Sequence, residues 1–248
     1  MKKTIFITGA TSGIGKATAE VFAKQGHRLI ICGRRKEVLD NLQIQLSNFT
    51  DVYSLVFDVR NQQEVQNAIN SLPEDWKNID VLVNNAGNAH GLEPISDANI
   101  SDWDAMMDGN VKGLLYVSQP IIKLMKANNS GHIVNISSVA ARQTYANGTV
   151  YCASKKAVDV ISEGMRLELT EFGIKVTNVQ PGAVETDFSK VRFKGDEERA
   201  ATVYAGYEPL IAEDIADAIS YCVNAPDRVS IAEICIYPKA QAEPRTIF

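Results

Sequence analysis

The chain has little from which to build a membrane span, a disulfide framework, a metal site or a nucleic-acid surface. No uninterrupted apolar run in its 248 residues approaches the ~20 that a membrane helix needs. Its four cysteines, Cys32, Cys152, Cys222 and Cys235, are scattered with no metal-ligand spacing. They fall in predicted strands or helices and read as buried thiols of a protein in a reducing cytoplasm. The formal net charge of −5 and the absence of a long cationic run argue against a nucleic-acid partner. Repeats and low-complexity stretches are missing too. Met1-Lys2-Lys3 followed by apolar residues opens like a signal peptide, but Thr8-Gly9 cuts the run short and no small-residue cleavage site follows. The segment therefore reads as a first strand.

What is present is an α/β pattern. A hydrophobic share of 45% supports one large core, and the length suits a single domain over residues 1–248. Strand-like runs occur at Thr4–Thr8, Arg28–Cys32, Tyr53–Phe57, Val81–Asn84, His132–Ile136, Lys175–Val179 and Glu233–Tyr237. Several are continuously apolar and β-branched, as strands buried on both faces must be. Helical patterns over Lys16–Gln25, Val38–Leu46, Glu64–Ser71, Asp102–Lys126, Tyr151–Phe172 and Glu213–Val223 separate them, with Gly173 placed to end one. This alternation predicts a doubly wound parallel sheet of about seven strands covered by helices on both faces. Ligand should then bind beyond the carboxyl ends of the strands.

The residues at those ends are unusual. The first strand runs into Gly9-Ala10-Thr11-Ser12-Gly13-Ile14-Gly15 and then a helix. Glycines there let the backbone approach a pyrophosphate, and a helix amino terminus offers free N–H groups and a positive dipole end. After the second strand, where a carboxylate would meet the ribose hydroxyl of NAD, Gly33 leaves the place empty and Arg34 and Arg35 follow. Paired guanidinium groups suit a 2′-phosphate, so NADP(H) is expected over NAD(H). Asp58-Val59 closes the third strand; the carboxylate either meets an adenine amino group or caps the next helix. Asn84-Asn85-Ala86-Gly87 ends the fourth, small enough for close contact with a ribose and with amides that can fix nearby backbone. Asn110 lies within an apolar helical pattern, where its amide needs partners. Tyr151 and Lys155 stand one helical turn apart, on one face, with Ser138 upstream. An ammonium beside a phenol favours the phenolate, and a tyrosine near pKa ~10 must be lowered by about 2–3 units to exchange protons readily at neutrality.

Taken in order and spacing, Thr8 to Gly15, Asn84-Asn85-Ala86-Gly87, Asn110, Ser138, Tyr151-x-x-x-Lys155 and Pro181-Gly182 resemble the classical short-chain dehydrogenases/reductases across essentially the whole chain. The resemblance implies a Rossmann-type fold, with a cofactor half of about 1–130 and a catalytic and substrate half of about 131–248. It implies that Tyr151 is the general acid, that Lys155 holds the nicotinamide ribose and lowers the Tyr151 pKa, and that Ser138 binds the reacting oxygen. Asn110 would position a water that links Lys155 to solvent. Pro181, Gly182, Val184 and Thr186 would border the nicotinamide. One departure is Ala141, where many relatives have glycine in Ser-Ser-x-x-Gly.

Ser71 to Trp76, Gly33-Arg34-Arg35 and Val191 to Asp196 narrow the resemblance to NADP-dependent 3-hydroxy acid dehydrogenases, also called serine or L-allo-threonine dehydrogenases. That group implies a small hydroxy acid or its carbonyl as substrate, and a homotetramer. Arg192 and Lys194 flank Phe193 in a region suited to a mobile lid, either as a carboxylate clamp or as a solvated basic loop; Arg142 competes for the clamp role. His90 is assigned no role. Two other readings stand beside this one: a reductase of bulkier, uncharged carbonyls, and a protein that senses NADP without turnover.

Overall fold

The computed structural model describes residues 2–248. Seven parallel strands form one sheet in the order β3-β2-β1-β4-β5-β6-β7: β1 Thr4–Ile7, β2 Arg28–Gly33, β3 Val52–Val56, β4 Val81–Asn84, β5 Gly131–Ile136, β6 Ile174–Pro181 and β7 Glu233–Ile236. Strand order reverses at β1, which pairs with β2 on one side and β4 on the other. A ligand crevice is expected at that switch point.

The apolar strand sequences are explained by two cores. Ile5, Ile7, Leu29 and Ile31 pack on one face with helices α1 (Gly13–Lys24), α2 (Lys36–Leu46) and the late helix Ala212–Asn224. Phe6, Ile30, Leu82 and Ile133 pack on the other face with α3 (Gln62–Asn70) and the helices that follow β4 and β5. Successive residues point to opposite faces and both faces are dry, so alternation with polar residues would leave buried groups unpaired.

The pattern expected as one helix over Asp102–Lys126 is divided. Helix α4 (Ile100–Met107) passes through a π-helical turn, Asp108–Lys112, into α5 (Gly113–Asn128). Such a turn bulges one helical face, and it carries Asn110. Helix α6 spans Thr149–Leu169; a 3₁₀ turn over Thr170–Phe172 and Gly173, at φ +67°, close it. After β6 come two short helices absent from the sequence pattern, α7 (Phe188–Arg192) and α8 (Glu197–Thr202), then α9 (Ala212–Asn224). A terminal hairpin, β8 (Gln241–Glu243) with β9 (Thr246–Ile247), folds back on the chain, with the Gln241 Oε1 accepting from the Ala183 N–H at 2.9 Å. Cys32, Cys152 and Cys222 are buried as expected, but Cys235 is exposed because β7 is an edge strand. Among the described residues no helix is long and apolar enough to cross a membrane, and no three His, Cys, Asp or Glu side chains gather at metal-binding distance.

Candidate active site

A cleft of about 520 Å³ opens at the switch point, lined by the loops after β1, β2, β3, β4, β5 and β6. Its floor is the glycine turn. Gly9 and Gly13 adopt φ of +66° and +50°, a region side chains resist. A Cβ on Gly15 would lie 2.4 Å from the Gly9 carbonyl oxygen, so the turn closes only without one. Ser12 is the N-cap of α1 yet makes no side-chain cap hydrogen bond. The first N–H groups of α1 therefore remain available to an anion. Gly9, Thr11, Ser12, Gly13 and Ile14 line the cleft; Ala10 and Gly15 lie behind it.

Arg34 and Arg35 line the far end. Gly33 leaves room there for the Thr11 side chain, whose methyl would lie 2.7 Å from an added Cβ. Arg35 donates to the Thr11 carbonyl and hydroxyl at 3.1 and 3.0 Å, while Arg34 is exposed, 3.7 Å from Asp58. Asp58 does not cap α3; Asn61 does, accepting from the Gln63 and Glu64 N–H groups. The Asp58 carboxylate takes hydrogen bonds from Arg60, the shortest 2.6 Å. Burial works against its ionisation, but the Arg60 hydrogen bonds and the nearby Arg60 and Arg34 charges hold its pKa below the usual range. Val59 sits beside it on the cleft wall.

The two asparagines after β4 divide their work. Asn84 donates inward to Ser118 and Asn135, tying β4 to α5 and β5. Asn85 donates to the Thr8 and Gly9 carbonyls, clamping the glycine turn against Ala86 and Gly87, which line the cleft. Asn110 is buried behind them. Its Oδ1 accepts from the Asn88 N–H at 2.7 Å and its Nδ2 donates to the Asn88 carbonyl and the Ser154 hydroxyl. The π turn thus fixes the backbone on which Gly87 sits, and a Cβ on Gly87 would lie 3.4 Å from the Lys155 Nζ.

Ser138, Tyr151 and Lys155 line the inner wall together. The Ser138 hydroxyl accepts from the Ala140 N–H at 3.1 Å, and its proton reaches toward the Pro181 carbonyl at a long 3.5 Å, leaving it available to a better acceptor. Lys155 donates to the Ile136 carbonyl at 2.9 Å; burial pulls its pKa down to about 8, with Asp159 pulling the other way. The expected lowering of the Tyr151 pKa by Lys155 is not found. Burial first, then Tyr145, raise that pKa, and the influences that favour the phenolate are the Arg192 charge and the adjacent Ser138 hydroxyl. The helix sets the 151/155 spacing, but packing decides the balance of desolvation and charge. Pro181, Gly182, Val184 and Thr186 form the opposite lip, with Thr186 against Gly13.

The three candidate clamp residues separate. Arg192 lies outside the main cleft, in a small hollow on the other side of Tyr151 that His90 also lines. Its guanidinium carbon is 5.1 Å from the Tyr151 ring centroid, and it donates to the Tyr145 hydroxyl at 2.9 Å and the Gly91 carbonyl at 3.3 Å. Among the described residues it has no carboxylate within ion-pair distance. Lys194 pairs with Asp102 at 2.9 Å, and Arg142 donates to Gln180 with Glu233 3.7 Å away. Phe193 is turned into the interior beneath Arg199 and does not line the cleft. His90 is half-buried, its Nδ1 has no partner, and burial lowers its pKa. The sequence reading missed Tyr145 and Phe188, whose rings pack around Tyr151, and Asp159. Nothing in their local spacing marks them, since each meets the site only through tertiary packing.

Comparison with known proteins places this geometry. The short chain dehydrogenase family model matches residues 3–197. The NADP-dependent 3-hydroxy acid dehydrogenase of Salmonella typhi is 41% identical over 239 residues, 96% of each chain. The Schizosaccharomyces pombe enzyme of the same name is 37% identical over 249 residues, 99% of this chain and 96% of its own. Among solved structures, a closed form of serine dehydrogenase complexed with NADP+ superposes with a TM-score of 0.93 at 40% identity, covering 96% of both chains.

Proposed function

This chain belongs to the short chain dehydrogenase family, and on that footing we propose that it is an NADP-dependent oxidoreductase moving a hydride between nicotinamide and the 3-hydroxyl or 3-carbonyl of a small hydroxy acid. Serine, L-allo-threonine and the 3-hydroxypropionate/malonic semialdehyde pair are the substrates of that class to examine. The observation that carries the substrate class is Arg192, a half-buried cation beside the Tyr151 ring with no carboxylate among the described residues at ion-pair distance. A guanidinium in such a place gains from a substrate carboxylate, whereas a bulky neutral carbonyl gains nothing from it. The cofactor assignment is supported by the glycine cradle, the open α1 amino terminus and the Arg34/Arg35 pair. A homotetramer in the cytoplasm belongs to the same proposal, as in the group the sequence resembles.

The cleft residues fit a phosphorylated dinucleotide: the α1 N–H groups would take the pyrophosphate, Arg34 and Arg35 the 2′-phosphate, and Asn85 to Gly87 with Lys155 the ribose next to the reacting ring. Bound there, the nicotinamide supplies or accepts the hydride. The protein's own part is the proton and the charge. Tyr151, kept protonated by burial, donates to the carbonyl oxygen as negative charge builds on it; in the reverse direction it must first lose that proton. Ser138 donates to the same oxygen, an interaction stronger in the transition state than in the ground state. Arg192, beside the ring, stabilises the tyrosinate left behind, and Lys155 stands one helical turn away as the nearest cation on the cleft wall.

A spectrophotometric assay of NADP+ reduction with L-serine, L-allo-threonine and 3-hydroxypropionate, run beside NAD+ and beside Tyr151→Phe, tests this. Turnover with NADP+ that falls by about three orders of magnitude in the variant is expected. Full turnover in Tyr151→Phe would remove the mechanism, and silence on all three acids by a protein that binds NADPH would remove the substrate class.

A further inference from the structure

Asp159 stands one helical turn beyond Lys155 on α6 and is nearly enclosed, its side chain 11% exposed. Its Oδ1 accepts from the Ser137 hydroxyl at 2.7 Å and the Asn178 amide at 2.7 Å, and its Oδ2 accepts from the Gln180 amide at 3.2 Å. Two of the three donors adjoin the active site. Ser137 precedes Ser138, Gln180 precedes Pro181, and the Ser137 oxygen also lies 3.0 Å from the Lys155 carbonyl. A single carboxylate therefore joins the ends of β5 and β6 to the turn of α6 that carries Lys155.

We infer that Asp159 is a positioning residue of the reaction: its carboxylate holds the Ser137–Ser138 segment and the β6 end against α6 and supplies the counter-charge that keeps Lys155 an ammonium. The inference rests on the reading that Tyr151 and Lys155 carry the proton transfer. Lys155 donates only to a neutral carbonyl, Ile136, and burial draws its pKa down to about 8 while Asp159 is the charge that opposes this. Facing Asp159 are Lys155 and the exposed Lys156 from α6, Ser137 from the end of β5, and Asn178 and Gln180 from β6. Beyond Gln180 stand Arg142 and, on β7, Glu233 and Cys235. Asp159 accepts all three of these hydrogen bonds, which fix its carboxylate between α6 and the ends of β5 and β6.

The sign of the effect follows. Removing the anion lowers the pH at which Lys155 loses its proton, so the alkaline limb of carbonyl reduction should move down. An opposite charge one helical turn away on a nearly enclosed face is worth about one pH unit. The experiment follows kcat for NADPH-dependent reduction of malonic semialdehyde from pH 6 to 10 in the parent, Asp159→Asn and Asp159→Glu. In Asp159→Asn the limb is expected to fall by about one unit, which makes kcat roughly tenfold lower than the parent well above the limb. The Glu variant should restore the parent limb. A purely structural role would depress kcat equally at every pH, and a limb unmoved in Asp159→Asn overturns the inference. If that variant does not fold, Lys156→Gln decides: removing the exposed cation 3.8 Å from the carboxylate should raise the limb by a few tenths of a unit, and an unmoved limb again overturns it. Tyr151→Phe measured in parallel separates the two levels, since full turnover there defeats the proton-transfer reading itself, whereas lost turnover with an unmoved limb defeats only the role of Asp159.

Discussion

A guanidinium held by a tyrosine hydroxyl and a main-chain carbonyl, with no carboxylate among the described residues at ion-pair distance, distinguishes Arg192 from its neighbours in sequence and space and suits it to the proposed clamp. Lys194 is neutralised by Asp102, and Arg142 is turned toward Gln180 and Glu233 behind the sheet edge. Arg192→Ala should raise KM for a 3-hydroxy acid about thirtyfold, near 2 kcal/mol for a lost charge-assisted hydrogen bond, while Arg142→Ala changes it less than twofold. Equal KM values for all three proteins would end the clamp assignment. Arg34 makes the complementary case at the other end of the cleft. It is exposed and only 3.7 Å from Asp58, so a 2′-phosphate would displace little to reach it. Arg34→Asp should weaken NADPH binding at least tenfold and leave NADH within about threefold; a parallel loss of both, read by fluorescence titration, would point to a damaged fold instead of a lost phosphate contact.

Among the elements, the strand, glycine turn and helix that open the fold are the least tolerant. A methyl on Gly15 would press on the Gly9 carbonyl and the Asn85 amide at 2.4 Å, and neither can retreat because Asn85 is bonded to the same turn. Gly15→Ala should therefore abolish measurable NADPH binding and lower Tm by several degrees, whereas Gly164→Ala, at an α6 position where a Cβ meets nothing within 4 Å, should hold or raise Tm. Melting curves with and without NADPH would show it, and a Gly15→Ala protein with parental binding would contradict the packing argument. The same elements were the most legible from sequence. Thr4–Ile7 and Val81–Asn84 are apolar on both faces because both are covered, and that constraint is written residue by residue. The π turn was not legible: Asp108 to Lys112 continue a helical pattern, and the extra residue exists to turn Asn110 toward Asn88 and Ser154 across the fold. Helices α7 and α8 were hidden because five or six residues give too little periodicity to read. The spacing of Tyr151 and Lys155 announced their shared face, but the upward shift of Tyr151 comes from burial first and then Tyr145, which only the packed structure supplies.

At the scale of the whole molecule, the end of the sheet opposite the cleft carries a store of acid sensitivity unrelated to catalysis. His132, second residue of β5, is buried, and its Nε2 lies 2.8 Å from the Thr177 hydroxyl. That hydroxyl donates its one proton to the Ile231 carbonyl at 2.6 Å, so it can only accept from His132, which fixes the Nε2–H tautomer. Nδ1 then carries a buried lone pair with no partner, and a second proton there would find no acceptor and two lysines, Lys175 and Lys3, nearby. Burial foremost, helped by those charges, lowers the pKa of His132 to about 3. The unfolded chain titrates near the ordinary ~6.5, so between about pH 6.5 and 3 the unfolded state binds the proton that the folded state refuses. Stability from this group is therefore complete above ~6.5 and drains away as pH falls. At pH 4.5 the loss is about 2–3 kcal/mol, from two pH units at 1.36 kcal/mol each. His27, buried beside Lys3, has its pKa lowered mainly by that burial and adds to the loss in the same direction. Urea unfolding at pH 7 and pH 4.5 should show the parent losing at least that much, and His132→Asn, which has no proton to gain, losing about 2 kcal/mol less over the interval despite a lower starting stability. Parallel losses in the two proteins would move the acid sensitivity away from β5 and onto the surface ion pairs.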